Sequence, residues 1–173
     1  RQPMIWAIAA GNTAIIKPSE HSPNMSAVIE KIIKATFDPQ HVSIFQGDSS
    51  VAEYLTNMPF DHIFFTGSPA VGKHVMGAAA KNLASVTLEL GGKSPVIIHE
   101  SANLIKAADS IVFSKFLNNG QTCIAPDYLM VHESIYDRFL DTLRISLSNQ
   151  FGDEDGFINN KDYGRLVTKA HFQ

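Results

Sequence analysis

Three short segments of this 173-residue chain hold residue types that can do chemistry. The first, Asn118-Asn119-Gly120-Gln121-Thr122-Cys123-Ile124-Ala125-Pro126, surrounds the only cysteine. A core cysteine sits among Leu, Ile and Val as a small hydrophobe. Here the neighbours are small and polar, and a proline follows three residues on, which is loop composition. A nucleophilic thiolate needs N–H groups, a helix terminus or a cation beside it, and access for substrate. A loop just beyond a helix supplies the access. No partner for the thiolate is visible, so an idle exposed thiol fits the same residues. None of the seven histidines stands in a pairing motif, which argues against a cysteine protease.

The second segment is Val86-Thr87-Leu88-Glu89-Leu90-Gly91-Gly92-Lys93-Ser94-Pro95. Glu89 lies inside an otherwise apolar strand. If that strand is buried, its carboxylate must be paired, protonated or lining a cavity, and a cavity-lining carboxylate is a natural general base. On an edge strand the same residue simply faces water. The third segment, Phe64-Phe65-Thr66-Gly67-Ser68-Pro69-Ala70-Val71-Gly72-Lys73, reads as strand, turn and helix. That order aims backbone N–H groups and a helix dipole at a phosphate. The glycine spacing matches neither the Gly-x-Gly-x-x-Gly fingerprint nor a Walker loop. An ordinary strand-to-helix turn, with Gly72 allowing close packing, accounts for it equally.

These segments need elements to position them. Residues 4–10 are apolar and end at the Gly11-Asn12 turn signal. Thr13 to Ile16 reads as a short buried strand stopped by Lys17-Pro18-Ser19-Glu20. Helical spacing of Val28, Ile29, Ile32 and Ile33 predicts a helix from Asn24 to about Phe37. Val42–Phe45 and His62–Phe65 are strand candidates with a short helix at Val51–Leu55 between them, and Pro69 suits the first turn of a helix running to Asn82. Strands at Val86–Leu90, Val96–His99 and Asp127–His132 follow. A helix is predicted from Asn103 to about Asn119. A second one, capped by Ser134, carries Ile135, Phe139, Leu143 and Leu147 on one face. The tail from Gly152 to Gly164 reads as a polar loop. Short apolar strands alternating with helices predict an α/β fold of mostly parallel sheets with flanking helices.

Composition narrows the function classes. Hydrophobic residues make up 45% and charged residues 18%, and the net charge is −3 with no basic run, so phosphate-driven nucleic-acid binding is not expected. The apolar run Pro3–Gly11 is too short to span a bilayer. A single cysteine leaves no internal disulfide framework and is compatible with a reducing cytosol. No metal site is expected. The chain opens on Arg1 without an initiator methionine and closes at Gln173 without a stop signal, which raises the expectation of an internal fragment.

The order and spacing of the motifs together say more than each alone. Ala9-Ala10-Gly11-Asn12-Thr13, Lys17-Pro18-Ser19-Glu20, Phe65-Thr66-Gly67-Ser68 with Gly72, Glu89-Leu90-Gly91-Gly92-Lys93-Ser94-Pro95 and Gly120-Gln121-Thr122-Cys123 resemble the NAD(P)-dependent aldehyde dehydrogenase superfamily along essentially the whole chain. Ile124 to Tyr128 is similar to the class 3 branch. Phe60-Asp61-His62 and His74-Val75-Met76 are similar to its coniferyl-aldehyde dehydrogenases.

The resemblance implies the later part of a Rossmann-like cofactor domain over residues 1–90, joined to the first part of the catalytic domain over 91–173. It implies that Cys123 is the nucleophile and that Glu89 activates the hydrolytic water. The Cys123 N–H would form half of an oxyanion hole. Lys17 and Glu20 would hold the adenosine ribose. Gly67 and Ser68 would meet the pyrophosphate, Gly72 would let helix and strand close up, and Gly47 and Leu90 would complete the cofactor contacts. A carboxylate on the ribose hydroxyls disfavours a 2′-phosphate, so NAD is expected, with Lys17 keeping NADP possible. The expected substrate is an aromatic or medium-to-long aliphatic aldehyde, in a cytoplasmic homo-oligomer without nucleic-acid or membrane partners. Family members also carry an upstream asparagine for the oxyanion hole and a downstream Glu-x-Phe-Gly-Pro segment. Neither occurs here, so the fragment by itself is expected to be inactive. The alternatives are a CoA-acylating relative, which would generally lack the base, a reductive relative acting on acyl phosphates, and a non-catalytic nucleotide-binding module.

Overall fold

The structure is a computed structural model that describes residues 2–152, 156–161 and 163–172. It is α/β, and the chain divides into two compact units, Arg1–Leu90 and Gly91–Gln173.

The first unit runs α1 (Gln2–Ala9), β1 (Ala14–Ile16), α2 (Pro23–Thr36), β2 (Val42–Ile44), α3 (Ser49–Thr56), β3 (His62–Gly67), α4 (Pro69–Ala80) and β4 (Ser85–Leu90). Helix α1 stops where Gly11 turns to φ +83° and its N–H bonds back to the Ile8 carbonyl, a conformation that glycine adopts without a Cβ penalty. Proline opens both α2 and α4 at the position where a missing N–H does no harm. Strands β1 and β2 pair in parallel with Ile15 opposite Ser43, and β3 and β4 pair in parallel with Phe64 opposite Thr87. Ile33 of α2 packs on Val42 and Ile44 of β2, with Met4, Ile8, Ala14, Ile16, Ile29 and Phe37 around them. That cluster is why α1 and α2 cover this sheet: each offers one apolar stripe that needs a partner.

Two expectations need correction here. Strand β1 is shorter than Thr13–Ile16 and is not buried throughout, since Ile15 is 41% exposed. Strand β3 does not break at Thr66, because Thr66 and Gly67 stay in register with Glu89 and Leu90 of β4. The turn signal marks the helix start at Ser68, not the end of pairing.

The second unit runs β5 (Ser94–Ile98), α5 (Leu104–Phe116), a 3-10 turn at Leu117–Gly120, β6 (Pro126–Val131), a 3-10 turn at Glu133–Ile135, α6 (Tyr136–Phe151), α7 (Gly156–Asn159) and α8 (Lys169–Phe172). Strands β5 and β6 are parallel, with a register shift at Ser94/Pro95 where proline cannot donate to the ladder. Ile98, Ala108, Ile135 and Phe139 form the core, with Leu104, Ile111, Leu129, Val131 and Leu143 against them. Between the two helices, Ser146 Oγ donates to Asp109 Oδ1 at 2.6 Å and Gln150 Nε2 donates to the Asp109 carbonyl at 3.5 Å; the first satisfies a buried hydroxyl and fixes α5 against α6.

Ser134 does not cap α6. It lies inside the 3-10 turn, which His132 caps by accepting the Ser134 N–H on Nδ1 at 3.3 Å, and α6 itself starts after Ile135 without a side-chain cap. The stretch after Gly152 is not a plain loop either. Phe157 and Tyr163 stack against Phe116 and Phe151, with ring centroids 5.0–6.3 Å apart, so the segment docks on α5 and α6 through aromatic burial. The part of the tail at residues 153–155 and 162 lies outside the described residues.

Candidate active site

Cys123 is exposed, on the segment that joins α5 to β6. The chain reaches it through three consecutive residues at positive φ, Asn118 (+53°), Asn119 (+54°) and Gly120 (+72°). Such a run is uncommon outside glycine, and asparagine tolerates it best because its short amide bonds locally. Here Asn118 Nδ2 donates to the Gln121 carbonyl at 3.2 Å, and the Gln121 N–H donates to the Asn118 carbonyl at 3.2 Å. The reversal of direction ends α5 sharply and turns the Thr122-Cys123-Ile124 tip outward, where Ile124 is 77% exposed. The Ala125 N–H then bonds to the Thr122 carbonyl at 3.0 Å, closing a turn around the thiol. At the entry to β6, Asp127 accepts from Lys93 at 3.2 Å and lies 3.9 Å from Lys115.

The backbone of Cys123 rests against Gly92. A Cβ on Gly92 would stand 2.5 Å from the Cys123 carbonyl oxygen, closer than real side chains come to anything. Gly91, beside it, has open space around it. The two glycines of the Gly91-Gly92 pair therefore have different reasons to be there. The second is the one that lets the thiol segment approach.

In the first unit, Glu89 sits on β4, opposite Thr66 of β3, and is exposed. It does not line a closed apolar cavity within this unit; β4 is an outer strand of its two-stranded sheet, and the side chain alternates to the open face. Glu89 belongs to the first unit and Cys123 to the second.

Lys17 and Glu20 meet directly after β1. Lys17 Nζ is 2.7 Å from Glu20 Oε2 and also donates to the Pro18 carbonyl at 2.9 Å. The hydrogen bond from Lys17, followed by the residue's own backbone N–H, holds the Glu20 carboxyl below its ordinary value. Gly67 and Ser68 stand where β3 feeds α4. The Ser68 hydroxyl caps that helix by accepting from the Val71 N–H at 3.3 Å, and the dipole of α4 places its positive end there. A Cβ at Gly67 would run into the Phe65 ring. Gly72 is buried, and a Cβ on it would stand 3.0 Å from Leu90 Cδ2 and 3.7 Å from Leu88 Cδ1, so α4 lies on β4 at glycine distance. Gly47 has φ +150° and packs beneath the Val51 side chain, just before Asp48 caps α3 through the Ser50 N–H at 2.9 Å.

The structure thus brings Lys17 to Glu20, Gly72 to Leu90 and Cys123 to Gly92. Gly92 and Gln121 lie within the sequence motifs, which assign neither a role. Their signal was only adjacency, Gly-Gly in one motif and Gly-Gln-Thr-Cys in the other, and their partners are distant in sequence. Among the described residues no group of three or more His, Cys, Asp or Glu could hold a metal, and no helix is long and apolar enough to cross a membrane.

Comparison with known proteins is consistent along the chain. Residues 2–173 match the aldehyde dehydrogenase family. The chain is 49% identical over 171 residues to 4,4'-diaponeurosporen-aldehyde dehydrogenase of Staphylococcus aureus, covering 99% of this chain and 37% of that protein. It is 43% identical over 172 residues to the dimeric NADP-preferring aldehyde dehydrogenase of Mus musculus, covering 99% and 38%. It is 39% identical over 170 residues to coniferyl aldehyde dehydrogenase of a Pseudomonas species, covering 98% and 35%. The substrate-bound structure of Staphylococcus aureus AldH superposes with a TM-score of 0.89 at 49% identity, covering 98% of this chain and 37% of that one. The chain therefore spans a little over a third of the length of the curated relatives it matches, and shares their α/β, Rossmann-like fold class.

Proposed function

Since the chain belongs to the aldehyde dehydrogenase family, we propose that it forms part of an enzyme oxidising an aldehyde to a carboxylic acid with NAD(P)+, and that Cys123 is its nucleophile. The observation that carries this reading is the exposed thiol at the tip of a turn held in left-handed geometry. A fold does not maintain that conformation on an idle surface without compensating contacts.

In this reading the first unit is the cofactor side. Its features suit a dinucleotide: the positive end of α4 behind Gly67 and Ser68 for a pyrophosphate, and the Lys17–Glu20 pair for a ribose. Gly47 and Leu90 border the same strand ends. When bound, the nicotinamide accepts the hydride released by aldehyde oxidation. Glu20 accepting both ribose hydroxyls favours NAD+, whereas Lys17 offers a cation to a 2′-phosphate, so both cofactors are within reach. A similar protein is named for its preference for NADP.

The second unit is the thiol side. The Cys123 sulfur adds to the carbonyl carbon, and the carbonyl oxygen takes the negative charge, for which the Cys123 N–H is a donor. Loss of hydride from that carbon leaves a thioester. Glu89 takes a proton from water, the resulting hydroxide attacks the thioester carbon, and the carbon–sulfur bond breaks to release the acid and restore the thiolate. The substrate class we favour is an apolar aldehyde, aromatic or medium-to-long aliphatic, in keeping with the names of two relatives. A homo-oligomer in the cytoplasm completes the reading; the free thiol is suited to a reducing compartment.

NADH or NADPH formation from an aldehyde panel by the full-length gene product, beside Cys123→Ala and Glu89→Gln, tests this. Turnover lost in Cys123→Ala, and a stalled acyl-enzyme in Glu89→Gln, are the expected results. Nucleotide binding with no aldehyde turnover by the unmutated protein would replace this reading with a non-catalytic nucleotide-binding module.

A further inference from the structure

The turn that carries Cys123 is held by more than its own hydrogen bonds. Its two consecutive left-handed asparagines, Asn118 and Asn119, are an unfavourable pair, and such a conformation persists only where the surroundings over-determine it. The surroundings come from 44 to 46 residues further along the chain. The Gln121 side-chain amide donates to the Asn118 carbonyl at 3.0 Å and to the Arg165 carbonyl at 3.1 Å, while its oxygen accepts the Val167 N–H at 3.2 Å. Both amide hydrogens and the oxygen are engaged, and two of the three bonds go to the backbone of the segment after Tyr163.

A second fastening lies one turn back, where the Tyr163 hydroxyl donates to Asn119 Oδ1. Gly164 lies 3.6 Å, measured from where a Cβ would be, from the backbone of Asn118 and Asn119. The segment is in turn anchored on its far side. Arg165 donates to the Ile158 carbonyl at 3.0 Å and lies over the Tyr163 ring at 5.5 Å, and that ring belongs to the aromatic group with Phe116, Phe151 and Phe157.

We propose that Gln121 is the positioning residue for the Cys123 thiol, its carboxamide clasping the Arg165 carbonyl and the Val167 N–H so that the 163–167 segment sets the direction of the nucleophile. This rests on Cys123 being the nucleophile. Gln121 touches neither thiol nor substrate in this role. It acts through the backbone of Gln121-Thr122-Cys123, two peptide bonds from the sulfur-bearing residue. The side-chain type matters because the 163–167 segment offers one acceptor, the Arg165 carbonyl, and one donor, the Val167 N–H, and a carboxamide presents the complementary pair. Methionine fills the space and leaves both backbone groups without their partner. Glutamate keeps the bond from Val167 and sets a carboxylate oxygen against the Arg165 and Asn118 carbonyls.

The test compares Gln121→Met and Gln121→Glu with Cys123→Ser in the full-length gene product. It measures kcat and KM for an aldehyde that the unmutated enzyme oxidises, nucleotide affinity, Tm, and the rate at which iodoacetamide alkylates Cys123. A misdirected nucleophile loses on the order of 10–100-fold in kcat, with KM, nucleotide affinity and Tm little changed. The alkylation rate per folded thiol moves with kcat. Should Gln121→Met fail to fold, Gln121→Glu, which keeps the shape and one bond, decides. Wild-type kcat per reactive thiol in the folded variants, or a loss that follows Tm alone, overturns the inference and leaves Cys123 as nucleophile. Wild-type turnover by Cys123→Ser instead overturns the nucleophile assignment itself.

Discussion

Replacing Gly92 by alanine asks whether the thiol segment is positioned by contact with the strand before it. The backbone at Gly92 is not in the left-handed region, so alanine meets no conformational penalty there and the perturbation is purely steric. The added Cβ would stand 2.5 Å from the Cys123 carbonyl oxygen, and ordinary van der Waals contact begins at 3.4 Å, so about 0.9 Å must be found. The obstacle is backbone, not the end of a flexible side chain, which leaves displacement of the Cys123 peptide or of the start of β5. Overpacking of this kind destabilises by about 1–3 kcal/mol. A shift approaching 1 Å at a nucleophile lowers turnover by on the order of a hundredfold. Urea unfolding, NAD(P)H formation and iodoacetamide alkylation of Cys123 read the two effects separately. Gly91→Ala, with open space around its position, is the control and is expected to leave unfolding and alkylation in the unliganded protein unchanged. Gly92→Ala matching Gly91→Ala in stability, alkylation and turnover would refute the steric argument.

Four further outcomes follow from the same structure. Gly72→Ala is expected to be close to neutral in denaturant unfolding, because the helix gains up to about 1 kcal/mol over glycine while one Leu90 methyl group yields a few tenths of an ångström; Gly72→Leu has nowhere to go and should cost about 2 kcal/mol or more. Ser68→Ala removes the cap on the Val71 N–H and should lower stability by about 1 kcal/mol, with weaker nucleotide binding by titration; unchanged nucleotide affinity would move the phosphate site away from α4. Phe139, 2% exposed in the core of the second unit, should lose about 3–5 kcal/mol on truncation to alanine in equilibrium unfolding. For Glu20 the folded carboxyl lies below its ordinary 4.5, so its contribution is present above that value and lost as pH falls through the folded one. An NMR titration of Glu20 should therefore show a midpoint under 4.5 that rises in Lys17→Met; a midpoint at the ordinary value would mean the ion pair does not form in solution.

Much of the fold was readable before any coordinates. The helices α2 and α4 and the strands β2, β4 and β6 fall within one or two residues of where apolar periodicity and turn residues put them, and α5 starts within one residue but ends three early. They do so because each carries its own signal: Pro23 and Pro69 at helix starts, the caps Ser68 and Asn103, and apolar stripes at a period of 3.6. The misreadings share a cause. Thr66 and Gly67 look like a strand break until β4 is seen holding them by its ladder. The tail after Gly152 looks polar until Phe157 and Tyr163 find Phe116 and Phe151. In each case the deciding partner lies tens of residues away, and local composition carries no information about it.

The same division separates what the chain alone decides about the site from what folding adds. Which groups can react is a matter of residue type, so Cys123 and Glu89 stand out from the residues themselves, whereas Lys17 and Glu20 acquire a role only through the family resemblance. The Lys17–Glu20 contact is itself local, three residues apart. What holds the thiol is not local: a glycine 31 residues earlier that admits its carbonyl, and an amide that reaches the backbone of residues 165 and 167. Glycine is chosen there by an absent clash and glutamine by a matched donor and acceptor. Both are properties of a neighbour in space, and they exist only once the chain has folded.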